Sequence, residues 1–97
     1  MYSSEYIHDK ITEREQLVLK LLIEGYTNAQ IAKELNISIH TAKAYVCSLI
    51  NKYNVCDRVQ VAVKAVVEEF SKYLPPEQIE IITNKLGLNF IMKGNRQ

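Results

Sequence analysis

Apolar residues recur at helical spacing in five stretches of this chain, each bracketed by residues that start or stop helices. The first opens at Thr12, which forms a T-x-x-E capping box with Glu15, carries Leu17, Val18, Leu21 and Leu22 on its core side, and ends at Gly25. Thr27 and Gln30 repeat the capping pattern, and Ile31, Ala32 and Leu35 supply the next stripe. Asn36 tolerates a left-handed helix terminus, Ile37 anchors the turn in a core, and Ser38 caps a third helix that runs to about residue 53. Residues 27–53 therefore predict two short helices joined by a tight turn, a helix-turn-helix.

Asp57, with Gln60 three residues on, caps a fourth helix predicted over 58–72. Its residues Val59, Ala62, Val63, Val66 and Phe70 are expected to complete the core, while Val61 and Ala65 form a second apolar strip on nearly the opposite side. Pro75-Pro76 break the chain, Pro76 suits the first turn of a fifth helix, and Gly87 stops it after residue 86. Ile79, Ile82 and Leu86 fall on one stripe of that helix, which is expected to cover the second strip in its own chain, to meet a second copy or to be captured by another protein. Val61, Ala65, Ile79 and Ile82 are thus the candidate dimer contacts. The fold class is all-α, with an N-terminal arm over 1–10, a four-helix unit over 11–73 and a helical extension over 74–97 that ends in Phe90, Ile91, Met92 and a basic, polar tail.

The third helix carries the candidate chemistry. At 100° per residue, Ala42, Val46, Leu49 and Tyr53 share one face, and His40, Ala44, Cys47, Ser48 and Asn51 the other, flanked by Thr41 and Lys43. No acidic residue occurs between Ile37 and Cys56. The wet face of an ordinary bundle helix is rich in Glu and Lys pairs. A face of small and hydrogen-bonding side chains with lysine and no carboxylate suits a groove lined with phosphates instead.

The runs Ile11-Thr12-Glu13-Arg14-Glu15, Glu24-Gly25-Tyr26-Thr27-Asn28 and Ile31-Ala32-Lys33-Glu34-Leu35, then Ser38, Thr41-Ala42-Lys43 and Ile50-Asn51-Lys52-Tyr53, stand in an order and spacing that resemble the LuxR/GerE-type DNA-binding domain. The resemblance covers about residues 11–66 without insertion. It implies a transcriptional regulator that places helix 39–53 in the major groove of double-stranded DNA and dimerises through helix 58–72. Carried over residue by residue, it puts Thr41, Lys43 and Lys52 at phosphates, and Lys43, Ala44, Cys47, Ser48 and Asn51 nearest base edges. Ala44 would suit a thymine methyl and Asn51 an adenine. Ser38 and His40 lie at the start of the same helix, and Thr27 and Asn28 at a helix N-terminus that favours a phosphate. The resemblance also makes Glu15 a brace for the third helix, where the residues alone show only a cap. Relatives of this kind usually carry a sensing domain ahead of the module. Only residues 1–10 precede it here, so control is expected through abundance, a partner or the added helix.

Composition changes this picture in a few places. The net charge of +1 is modest for a nucleic-acid binder. Its distribution is more telling, since residues 1–25 hold three basic and five acidic side chains and residues 26–60 hold four basic and two acidic. The positive part coincides with the helix-turn-helix. Cys47 and Cys56 lack C-x-x-C spacing and form no matched ligand set with His8 and His40, so free thiols in a reducing cytoplasm are expected, with no metal and no cofactor. The apolar runs are too short for a membrane span. No nucleophile and base pair, paired acids or phosphate loop points to an enzyme. Two other classes fit the pattern. One is a relative of sigma-factor region four acting through RNA polymerase, and the other is a helix-turn-helix module that binds another regulator.

Overall fold

The computed structural model describes residues 11–88, and the expected arm and the tail from residue 89 onward lie outside them. Five helices follow in order: α1 (Glu13–Ile23), α2 (Asn28–Leu35), α3 (Ile39–Tyr53), α4 (Arg58–Phe70) and α5 (Pro76–Leu86). No strand occurs among the described residues.

The helix boundaries follow from caps. Thr12 and Thr27 each form a reciprocal capping box, with Glu15 and with Gln30. Four of the five stops, all but that of α4, share one device. Gly25, Asn36, Asn54 and Gly87 take positive φ, and the apolar residue after each bonds its N–H to the carbonyl five residues back: Tyr26 to Leu21, Ile37 to Ala32, Val55 to Ile50 and Leu88 to Thr83, at 2.8–3.2 Å. The left-handed residue turns the chain, and the apolar residue after it fixes the exit direction. In the turn between α2 and α3, Asn36 supplies the reversal, Ile37 packs against the core, and the Ser38 hydroxyl accepts from the Thr41 amide at 2.9 Å. An eight-residue helix such as α2 is marginal alone. It persists because both ends are closed and Ile31 and Ala32 are buried.

The core lies between α1 and α4, with Val18, Leu19 and Leu22 meeting Ile31, Ala32, Ala42, Val46, Leu49, Tyr53 and Val61. At about 1.5–3 kcal/mol for each large aliphatic side chain, this cluster holds α3 along its whole inner edge. Leu17, expected in the core, is exposed, and Leu19 takes its place.

The fourth helix is turned about half a revolution from the expected orientation. Val61 is fully buried in the core, Lys64 is also fully buried, and Ala65 packs against the cluster. Val59 and Phe70, expected inside, are 65% and 59% exposed. Val61 is therefore withdrawn as a dimer contact, and Ala65 belongs to the inward side. The cause is Lys64, a residue that hydrophobic patterning counts as solvent-facing. Its ammonium donates to the Tyr53 carbonyl at 2.9 Å, on the partly negative C-terminal end of α3, while its methylene stem is packed. Burial pulls the Lys64 pKa down, and the Glu68 charge opposes that shift. Burial, assisted by the same Glu68 charge, pushes the Tyr53 phenol up.

Because the Val61 strip is already sealed, α5 does not cover it. Thr83 is buried and Ile79 half-buried, whereas Ile81, Ile82 and Leu86 stay exposed. Between α1 and α4, Leu17, Leu19, Ile23, Val66 and Phe70 line an open groove of about 650 Å³.

Candidate nucleic-acid interface

The arrangement of α3 follows from how its two sides are held. Ala42, Val46, Leu49 and Tyr53 are buried, which leaves His40, Thr41, Lys43, Ala44, Cys47 and Asn51 together on an exposed face, with Ile39 exposed at its start. These six predicted residues form one contiguous surface. Ser38 sits at its edge, where its hydroxyl accepts from the Thr41 amide and donates to the Thr41 hydroxyl, each at 2.9 Å.

The other predicted residues are placed differently. Thr27 is exposed, but its hydroxyl accepts from the Gln30 amide as a helix cap. Asn28 is half-buried, and its Oδ1 accepts from Arg58 Nη1 at 2.6 Å. Ser48 and Lys52 lean off the open face toward α1. The Ser48 hydroxyl donates to Glu15 Oε2 at 2.6 Å, and Lys52 Nζ donates to Glu15 Oε1 at 2.8 Å. The Glu15 side chain is 6% exposed and that of Lys52 28%.

Glu15 is thus more than a cap. Its Oε1 also accepts from the Thr12 amide at 3.0 Å, so one carboxylate closes the start of α1 and ties the middle of α3 to it. Burial on its own would raise its pKa. Hydrogen bonds from Lys52, Ser48 and Thr12 and the Lys52 charge outweigh that cost and hold the carboxyl at about 2, against an ordinary 4.5.

Neither helical period nor a motif marks Arg58 in the sequence. Its guanidinium reaches Asn28 Oδ1 and the Tyr26 carbonyl, both at 2.6 Å, and so pins the start of α4 to the segment that leads into α2. The available signal was electrostatic: a cation in the first turn of a helix opposes the dipole and persists there when something else holds it. Lys64 offered a similar hint as a single charge inside the run Val61-Ala62-Val63-Lys64-Ala65-Val66-Val67.

Among the described residues, no group of three or more His, Cys, Asp or Glu is placed to hold a metal ion, and no helix is long and apolar enough to cross a membrane. Cys47 and Cys56 are free and exposed.

The family described as bacterial regulatory proteins, luxR family, matches residues 9–65. Over 58 residues the chain is 43% identical to the transcriptional regulatory protein LiaR of Bacillus subtilis, covering 60% of this chain and 28% of that protein. Over 59 residues it is 37% identical to the response regulator protein VraR of Staphylococcus aureus, covering 61% of this chain and 28% of that protein. The VraR of Staphylococcus saprophyticus is similar to the same extent. The chain therefore matches little more than a quarter of the length of these relatives. No solved structure matches it significantly.

The depressed Glu15 pKa fixes the sign of an acid effect. An ionised Glu15 stabilises the fold fully above about pH 4.5, and that contribution is lost as the pH falls toward about 2. Glu15→Gln is expected to cost about 2 kcal/mol at pH 7 and to flatten the decline of stability over that acid range. Urea melts of both proteins at several pH values measure the two effects.

Proposed function

Because the chain belongs to the luxR family of bacterial regulatory proteins, we propose that it is a DNA-binding transcriptional regulator that lays α3 in the major groove. The observation that carries this reading is the open face of His40, Thr41, Lys43, Ala44, Cys47 and Asn51, exposed together with no carboxylate from Ile37 to Cys56. A helix of this width fits the major groove, and its small central residues, Ala44 and Cys47, permit close approach to base edges. Lys43 and Thr41 border the face and suit phosphates. The start of α2, with Thr27 exposed, suits another. The relatives LiaR and VraR are regulators by name, which supports the same role for this chain. The interface lies within the unit over 11–73, and residues 74–97 extend it. A DNA regulator acts in the cytoplasm, where exposed free thiols such as Cys47 and Cys56 stay reduced.

In this reading the regulator acts as a homodimer through α4, on a different strip from the one that patterning favoured. Val59 and Phe70 are exposed on the outward side, and the half-buried Ala62, Val63 and Val66 share it. Such a strip, continued by Leu17 and Ile23 beside the groove, is more apolar than a solvated helix face needs to be. Two copies joined there would present two α3 helices to half-sites about one helical turn apart. Ile82 is exposed and remains available to an interface, whereas Ile79 is half-buried.

A second reading rests on the small net charge of +1: the module binds RNA polymerase or another regulator rather than DNA. Titration of the purified chain with random duplex at two salt concentrations separates the two, since DNA binding weakens with salt in proportion to the phosphates neutralised.

Lys43→Ala is expected to cost about 1–3 kcal/mol on a preferred sequence if Lys43 meets a base, with a smaller loss on random duplex. Gel-shift titrations on a pool-selected duplex and a random one measure both losses, and equal binding by variant and parent on both duplexes removes Lys43 from the interface. Phe70→Asp is expected to move sedimentation from dimer toward monomer without lowering the helix content seen by circular dichroism. An unchanged sedimentation coefficient across the same concentrations contradicts the α4 dimer.

A further inference from the structure

Of the seven residues from Thr41 to Cys47 only Lys43 is charged, and the next cation along α3, Lys52, is held by an acid from another helix. We infer that Glu15 is a specificity-determining positioning residue, which withholds Lys52 and Ser48 from the DNA backbone so that the regulator's affinity depends less on phosphate contact and more on the open face of α3. This inference rests on the DNA-binding reading and deepens it.

The geometry supports it on three counts. Lys52 Nζ and Ser48 Oγ reach the two oxygens of one carboxylate, at 2.8 and 2.6 Å, so both side chains lean away from the face that holds Lys43, Ala44 and Cys47. The carboxylate is almost completely enclosed and also accepts from the Thr12 amide at 3.0 Å, which fixes it to the start of α1. It is thus a rigid acceptor rather than a surface acid that swings aside for a phosphate. Lys52 reaches a phosphate only by sharing or leaving a short charge-assisted bond, so that a phosphate contact competes with Glu15 rather than simply adding to it. A regulator gains from this arrangement. Each phosphate contact strengthens binding to all sequences alike, and the ratio of specific to non-specific binding is what locates an operator among many competing sites.

The test reads the slope of log affinity against log salt on random duplex, a quantity that a merely bracing role for Glu15 does not increase. For the parent chain, Lys52→Gln is expected to leave the slope and the random-duplex affinity within error. A lysine that meets a phosphate would instead lower the slope by about 0.9. Glu15→Gln is expected to free Lys52 and steepen the slope by about 0.9, so that its gain on random duplex fades about threefold between 50 and 200 mM salt. The double variant Glu15→Gln with Lys52→Gln is expected to return the slope to the parent value. A slope that falls in Lys52→Gln overturns the inference, even if Glu15→Gln does not fold. So does a folded Glu15→Gln with the parent slope. If the parent chain binds neither random nor pool-selected duplex at low salt, the DNA-binding reading itself fails, which is a separate result from a change of slope among variants that bind.

Discussion

The structure depends on α3 being sealed along one side and open along the other, with its rotation about its own axis fixed. Burial of Ala42, Val46, Leu49 and Tyr53 supplies the seal, but an apolar stripe alone tolerates some rotation and sliding. Two polar contacts restrict that freedom. Glu15 holds the middle of the helix through Ser48 and Lys52, and Lys64 holds its end through the Tyr53 carbonyl. Both anchors are buried, so each carries a desolvation cost that its partners must offset. That requirement gives them directional force. An unsatisfied carboxylate or ammonium inside the core is far worse than a loosely packed leucine.

Much of this was legible in the sequence because it rests on local rules. The two capping boxes, the Ser38 and Asp57 caps and the left-handed stops at Gly25, Asn36 and Gly87 depend on residues within a few positions of each other. The outward grouping of His40, Thr41, Lys43, Ala44, Cys47 and Asn51 follows from helical period alone. What depended on distant partners was not legible in the residues themselves, and the role of Glu15 as a brace came only from the family resemblance. Ser48 and Lys52 share the polar side of α3, and nothing within α3 indicates that an acid 33 or 37 residues earlier in the chain draws them aside. Nothing near Asn28 in sequence keeps it from a phosphate, because its partner, Arg58, lies 30 positions away. The rotation of α4 failed for a related reason. Both of its sides are apolar, so the decision fell to one lysine whose destination is a backbone carbonyl on another helix.

That rotation has consequences beyond the core. By turning Val61 and Lys64 inward, the fold exposes the longer apolar strip, with Val59 and Phe70 at its ends, on the side away from α3. A core that took the larger strip would leave little for a second copy to grip. The burial of one charged residue thus ties the stability of a single chain to the apolar surface it leaves exposed. The added α5 leaves Ile81, Ile82 and Leu86 exposed, so it enlarges the apolar surface rather than closing it.

Whether the exposed face of α3 meets DNA can be read from the thiol at its centre. Cys47 lies on that face, and Cys56 lies exposed beyond the end of the helix as an internal reference. Alkylation of the chain by iodoacetamide, followed by mass spectrometry with and without saturating duplex at low salt, reports the access to each thiol. Contact through this face is expected to slow the reaction of Cys47 strongly and that of Cys56 much less. Equal alkylation of Cys47 in the bound and unbound chain would contradict it.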